Sequence, residues 1–141
     1  MSDFFLASGE DLSSLNFEPP FAGTAGLPDS EVDLLMLCNL ESILTGSDWD
    51  CIFDSVYINP VAEQGPEGPW IYEVSAELLK ALQSLGPADA LDCARSWAET
   101  DEWTLRDNIT IEKVSEVLQK LISLAQQALL QNKRLFIWAE A

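Results

Sequence analysis

Residues 134–139 (RLFIWA) constrain the fold more than any other segment, because everything after the arginine is apolar. A strand with one face in water alternates apolar and polar residues, whereas a strand covered on both faces is a continuous apolar run. We therefore predict that this segment is an interior strand of a sheet, with other elements packed on both of its faces.

The segment before this strand carries the clearest helical pattern in the chain. Apolar residues recur there at spacings of three and four, which places them on one face of an α-helix. They are Ile111, Val114, Leu118, Leu121, Ile122, Ala125, Ala128 and Leu129. A long amphipathic helix that leads into an interior strand indicates a sheet with helices packed against it.

Three further segments have the composition of strands. Residues 4–7 form a short aromatic run that suits an opening strand, and residues 51–58 and 70–74 are rich in β-branched and aromatic side chains. Between the last two, residues 64–69 (QGPEGP) have the composition of a turn. We predict that 51–58 and 70–74 form a hairpin across a long loop.

The first predicted helix follows a segment with no regular element. Residues 8–28 hold too many glycines and prolines for a helix or strand, so we predict an irregular loop there. Asp29 or Ser30 is placed to cap the helix that follows, and Gly46 ends it in the left-handed conformation. The apolar stripe of this helix, which we expect to face the core, includes Leu35 and Ile43.

Two shorter helices are predicted from a cap and a breaker. Ser75 is placed to cap a helix through Leu85, and Pro87, at a first helical position, opens another that runs to 97 or 99. With the strands above, these helices indicate a single α+β domain over residues 1–141. Its small mixed or antiparallel sheet includes the C-terminal strand and packs against three to four helices.

The charge of the chain is distributed very unevenly. The net charge is −17, yet the first lysine or arginine is Lys80, and fifteen carboxylates precede it. Such a field favours a basic protein partner, because opposite potentials raise encounter rates and specificity. It disfavours nucleic acid and anionic membrane surfaces, which are themselves negative. The alternative is that the acids serve only solubility.

Catalytic and metal-binding patterns are lacking at the level of sequence. There is no histidine, which excludes histidine-based triads and histidine metal sites, and the three cysteines form no CxxC pair. No glycine pattern matches a phosphate loop or a dinucleotide fingerprint. We therefore expect no catalytic residue, no metal and no cofactor. We also expect a cytoplasmic protein, because neither a signal peptide nor an apolar run long enough to span a bilayer is visible.

Two acidic clusters that contain tryptophan are the candidate binding residues. Around Trp49 lie Asp48, Asp50 and Asp54, whose spacing lacks the glycine and the closing glutamate of an EF-hand calcium loop, so an acidic surface loop is the better interpretation. We predict that Trp49 is exposed and belongs to an interface, where tryptophan is enriched.

The second cluster is residues 97–103 (WAETDEW), in which we select Glu99, Asp101 and Glu102 as partner-binding residues. If this segment is helical, Glu99 and Glu102 share a face, and paired carboxylates can act in hydrolysis. The alternative is a helix end whose acids face solvent and whose two tryptophans are buried.

The chain also carries a resemblance over its last half. Gly68-Pro69-Trp70 entering a strand, the pattern Trp97-x-x-Thr100-x-Glu102-Trp103, and the long helix leading into 135–138 resemble small bacterial proteins of unknown function. A more distant likeness, carried by the opening strand and the final helix-to-strand unit, is to the YfbM-like uncharacterised family. The resemblance implies no catalytic residue.

Two classes of function follow from these observations. The first is a non-catalytic protein-interaction module whose acidic face meets a basic protein, as inhibitors and immunity proteins do. The second is a small-molecule-binding protein or hydrolase that uses the carboxylates at 99–102. The sequence leaves the oligomeric state and the strand order open.

Overall fold

The architecture is given by a computed structural model, which describes residues 2–8, 26–30, 32–54, 60–63, 68–106 and 109–139. Five strands lie at Ser2–Ala7 (β1), Gly26–Ser30 (β2), Ala62–Glu63 (β3), Trp70–Glu73 (β4) and Arg134–Ala139 (β5). The helices lie at Leu34–Thr45 (α1), Trp49–Ile52 (α2), Ala76–Gln83 (α3), Pro87–Ala98 (α4), Asp101–Thr104 (α5) and Ile111–Gln131 (α6). These elements confirm the predicted α+β class.

The strands form one antiparallel sheet with the order β2-β1-β5-β4-β3. β5 is central, as its apolar run predicts, and pairs with β1 on one side and with β4 on the other. Its side chains from Leu135 to Trp138 are all buried. The last strand in the chain therefore joins the two outer parts of the sheet.

Alternation along the strands divides the buried side chains between the two faces of the sheet. Phe4, Leu6 and Ile137 belong to the main core, which they share with the helices. Phe5, Phe136 and Trp138 belong to a second cluster, in which the rings of Phe5 and Phe136 stack with centroids 5.6 Å apart. Both faces of the central strands are thus removed from water.

The helices pack together on the main core. α6 contacts α3, α4 and the central strands, and α1 contacts α2, α3, α4 and α5. Four helices have eight residues or more in the described part of the chain, which agrees with the predicted three to four. The N-cap Ser75, the C-cap Gly46 and the first helical residue Pro87 lie where the sequence places them.

The entry to β4 requires a glycine. Gly68 has φ +86°, and a Cβ atom built on it would lie 2.8 Å from ring atoms of Trp70. Any larger residue would strain the backbone and press against the indole. The backbone conformation of Gly68 therefore directs the chain through Pro69 into β4 at Trp70.

Two predictions near the start of the chain are wrong. The loop predicted to reach 28 overlaps β2, which begins at Gly26, while residues 9–25 lie outside the described part. Asp29 and Ser30 belong to that strand, and the cap of α1 is Asp33, which accepts a hydrogen bond from the Met36 amide at 2.9 Å. Pairing with β1 outweighs the weak strand preference of Gly and Pro.

The prediction of a strand at 51–58 is also wrong for residues 51–54, the part of this range that the structure describes. Cys51 and Ile52 belong to α2, which Asp48 caps, and residues 55–59 lie outside the described part. The strand that pairs with β4 is β3, at Ala62–Glu63. β-branched composition alone does not separate a strand from a buried helical turn in so short an apolar run.

Candidate partner-binding surface

The first acidic cluster is built on the single turn of α2. Asp48 caps this turn, with its Oδ1 accepting a hydrogen bond from the Asp50 amide at 3.2 Å, and Asp48, Asp50 and Asp54 are all exposed. Trp49 is half-buried rather than exposed, and its ring stacks on Phe53 at a centroid distance of 5.3 Å. Both rings also pack against the main core and so hold α2 to the body of the protein, whereas the three carboxylates face water.

The second cluster is a break between two helices. α4 ends at Ala98, Glu99 follows as its C-cap, and Thr100 precedes α5. The condition for a shared face, a single helix through residues 97–103, is not met, because this break separates Glu99 from Glu102. Glu99 and Asp101 are exposed, and Glu102 is half-buried.

The two tryptophans that bracket this cluster are fully buried. Trp97 and Trp103 pack edge to face with centroids 5.3 Å apart, and the Trp97 indole donates a hydrogen bond to the Met36 carbonyl at 2.9 Å. Neither ring is therefore accessible for stacking on a ligand. This arrangement is the predicted alternative of a helix end with buried tryptophans and solvent-facing acids.

Helix α1 packs against both clusters. It contacts α2 and α5, and the Asn39 amide donates to Glu102 Oε2 at 2.7 Å. Burial raises the pKa of the neighbouring Cys38 thiol to about 12, and Glu41, Asp33 and Glu102, of the second cluster, add to the shift. Segments that are fifty residues apart in sequence thus meet on one helix. We call Asp33, Asp48, Asp50, Asp54, Glu99, Asp101 and Glu102 the acidic surface.

Three of the later cations form salt bridges with acids outside the acidic surface. In the described ranges, salt bridges join Arg134 to Glu73 at 2.9 Å, Lys120 to Glu116 at 3.3 Å and Arg95 to Asp92 at 4.0 Å. The Arg134–Glu73 salt bridge neutralises one of the fifteen carboxylates that precede Lys80, and this carboxylate lies on strand β4. Arg106 lies over the Trp103 ring, 5.4 Å from its centroid, which places one cation beside the second cluster. No salt bridge between described residues reaches the acids of α1 or α2.

The buried Glu41 is a residue that the sequence analysis missed. Its side chain is 4% exposed and accepts a hydrogen bond from the Ser75 hydroxyl, which also caps α3 by accepting from the Leu78 amide at 3.1 Å. Burial raises the pKa of this carboxyl; the hydrogen bond from Ser75 opposes the shift, and Glu77 adds to it. Helical spacing alone could have found it, because Glu41 follows Leu37 by four residues on the buried side of α1.

Leu35 and Ile43 are more exposed than the sequence predicts. The stripe that we expected to face the core includes both, yet they are 39% and 36% exposed. The stripe is wider than the core contact, so the buried face of α1 is set by Met36, Leu37 and Leu40 instead.

Nucleophilic and metal chemistry find little support in the geometry. Burial raises the pKa values of Cys38 and Cys93 to about 12 and about 11, so these thiols stay protonated at neutral pH, whereas Cys51 is exposed. Within the described ranges, no three carboxylates or thiols are arranged to hold a metal ion. An open groove of about 220 Å³ between the α3–α4 turn and α6 is lined by Leu85, Pro87, Ala90, Ile122 and polar side chains of α6, none of them titratable.

None of the helices in the described ranges is long and apolar enough to cross a bilayer. Comparison with protein-family models, with curated proteins and with solved structures gives no match for this chain. The resemblance to small bacterial proteins, and to the YfbM-like family, therefore stays a prediction.

Proposed function

We propose that this protein is a non-catalytic, cytoplasmic interaction module that uses its acidic surface to bind a basic protein, in the manner of an inhibitor or immunity protein. The observation that carries the proposal is the distribution of charge: fifteen carboxylates precede the first cation. The field of such a surface steers a cationic partner and selects against anionic ones.

The arrangement of α1, α2 and α5 supports this function. α1 packs against both acidic clusters, and the carboxylates of Asp33, Asp48 and Asp50 face water. The described ion pairs lie elsewhere, on β4, α4 and α6. The acids of α1 and α2 are thus available to a cation brought by another molecule.

The proposal is tested by capturing a partner from the native host and measuring its association kinetics with the purified protein. We expect a basic protein whose association slows about tenfold as salt rises from low to high concentration, because screening removes the steering. A triple variant with Asp48→Asn, Asp50→Asn and Asp54→Asn should associate more slowly than the wild type.

The matched control neutralises the same number of exposed acids elsewhere, with Asp89→Asn and Asp92→Asn on α4 and Glu112→Gln on α6. It changes the net charge equally, so it should slow association less than the α2 variant if the acidic surface is the contact. Equal rates at low and high salt, or equal effects of the two triple variants, would contradict the proposal.

A further inference from the structure

Helix α1 exposes apolar side chains within the acidic surface. Leu35, Asn39 and Ile43 follow one another at a spacing of four, so they form one stripe along the helix. Leu35 and Ile43 are 39% and 36% exposed, and the hydrogen bond between Asn39 and Glu102 places a carboxylate at the midpoint of the stripe. We call these three residues the α1 stripe.

Within residues 32–54, the segment that carries the α1 stripe, every charged side chain is negative. Asp33 caps the start of the helix, and Asp48 and Asp50 follow its end, whereas residues 32–54 contain no lysine or arginine. Apolar residues with a charged rim are the usual anatomy of a protein–protein contact, in which the apolar centre gives affinity and the rim gives orientation.

A second exposed apolar site in the chain has the opposite surroundings. Leu129 and Leu130, at the end of α6, are 66% and 85% exposed, and Lys133 and Arg134 follow them after two uncharged residues. A partner that sought only exposed leucine would choose this site, because more apolar area is accessible there. A basic partner would gain no charge attraction from Lys133 and Arg134 and would be drawn instead to the acids around the α1 stripe.

We infer that the α1 stripe is the docking site of the partner, and that the partner presents an amphipathic segment in which apolar residues alternate with lysine or arginine along one face. This inference rests on the proposed function and adds to it the chemistry of the partner. The apolar residues of the segment pack on Leu35 and Ile43, while its cations face Asp33, Asp48 and Glu102. Recognition of an amphipathic helix by an apolar strip with charged borders is a common mode of peptide binding.

Two synthetic peptides test the inference. One is an amphipathic helix of leucine and lysine, about 18 residues long, which gives five helical turns. The other has the same number of lysines with every leucine replaced by glutamine. Binding of each is measured by fluorescence anisotropy, and we expect the amphipathic peptide to bind about tenfold more tightly, because it alone buries apolar surface.

The variant Leu35→Ser with Ile43→Ser should remove this advantage and leave the binding of the glutamine peptide unchanged. The matched control is Leu129→Ser with Leu130→Ser. It removes two leucines that are more exposed than Leu35 and Ile43, and it should leave the affinities of both peptides unchanged. Amide shift mapping on the wild type is independent of either variant folding correctly. Shifts caused by the amphipathic peptide should fall on α1 and α2 and not on the end of α6.

The outcomes separate the inference from the proposed function. Equal binding of the two peptides would overturn the inference and leave the proposed function standing. An equal loss of affinity for the amphipathic peptide in the α1 variant and in the α6 control variant would also overturn the inference. Amide shifts confined to the end of α6 would do the same. Failure of both peptides to bind at low salt would count against the proposed function itself.

Discussion

Trp97 and Trp103 are equally buried and pack against each other, but their indole N–H groups differ. The Trp97 N–H donates to the Met36 carbonyl, whereas Trp103 Nε1 has no acceptor in the described structure. A buried donor without a partner is unfavourable, and a buried donor with one is stabilising. The pair therefore offers a comparison in which volume is matched and hydrogen bonding is not.

Replacement of each tryptophan by phenylalanine should separate these effects. Both substitutions delete the same volume, but Trp97→Phe also deletes a buried hydrogen bond, while Trp103→Phe removes an unsatisfied donor. We expect Trp97→Phe to lower the free energy of unfolding by about 1–3 kcal/mol more than Trp103→Phe. Urea denaturation of the two variants measures the difference, and equal losses would show that the hydrogen bond is not a net contributor.

The buried carboxyl of Glu41 makes stability depend on pH. Its pKa is raised in the fold, so between its unfolded and folded values the native state holds more protons than the unfolded state. This contribution to stability is present at pH values below the unfolded pKa and is lost as the pH rises through the folded pKa. The neighbours that carry charge or a thiol are Glu77 and Cys38.

Glu41→Gln removes this titration and keeps an oxygen that can accept from Ser75. We expect the variant to gain stability relative to the wild type as the pH rises from 4 to 8, measured as the difference in the free energy of urea unfolding. Glu112→Gln, at an exposed position on α6, is the control. A difference that is constant with pH for Glu41→Gln would contradict the expected titration.

At the scale of elements, α3 and α6 are capped by hydroxyls in different surroundings. Thr110 accepts from the Lys113 amide at 3.2 Å and is exposed, whereas Ser75 is buried and also donates to Glu41. Both caps satisfy a free amide of the first helical turn. Only Ser75 couples that cap to another helix.

Alanine at the two caps should therefore have unequal effects. Thr110→Ala should lower the free energy of unfolding by about 1 kcal/mol, the usual value for a lost cap. Ser75→Ala should lower it by about 3 kcal/mol, because it also leaves the Glu41 carboxyl without its donor in the interior. Chemical denaturation at neutral pH measures both. If the losses are similar, the Glu41 contact contributes little.

The elements that could be predicted are those with a local cause. Ser75, Pro87 and Gly46 begin or end helices through local backbone chemistry that does not depend on the rest of the fold. Residues 134–139 are almost all apolar, and this composition alone predicts a strand that is buried on both faces. The strand β2 could not be predicted, because its register is set by pairing with β1 and not by its own residues.

The position of both acidic clusters beside α1 could not be predicted, for the same reason. The seven partner-binding residues selected from the sequence form two separate clusters in the chain. Both clusters lie beside α1, because α1 packs against α2 and α5 and its Asn39 donates a hydrogen bond to Glu102. Spacing along one chain segment carries no information about contacts of this kind.

At the scale of the whole molecule, the net charge of −17 opposes the compact state. Repulsion among exposed carboxylates is screened by salt, with a Debye length of about 10 Å at 0.1 M. The three described salt bridges are weakened by the same screening, but they are few against many acids.

Added sodium chloride should therefore raise the melting temperature. We expect an increase of a few degrees between low salt and about 0.5 M, measured by circular dichroism, because like-charge repulsion falls more than the few ion pairs do. A neutral osmolyte at matched osmolality controls for general exclusion effects. A melting temperature that is flat in salt would show that the acids are well separated.

The central position of β5 has a consequence for how the protein is made. The ribosome synthesises β1, β2, β3 and β4 before β5, the strand that joins them. The edges of β1 and β4 that pair with β5 therefore have no partner strand until β5 has been made. Unpaired edges recruit strands from other polypeptides. Synthesis of the sheet is therefore complete only when its central strand emerges, and until then the strands on either side have no common partner.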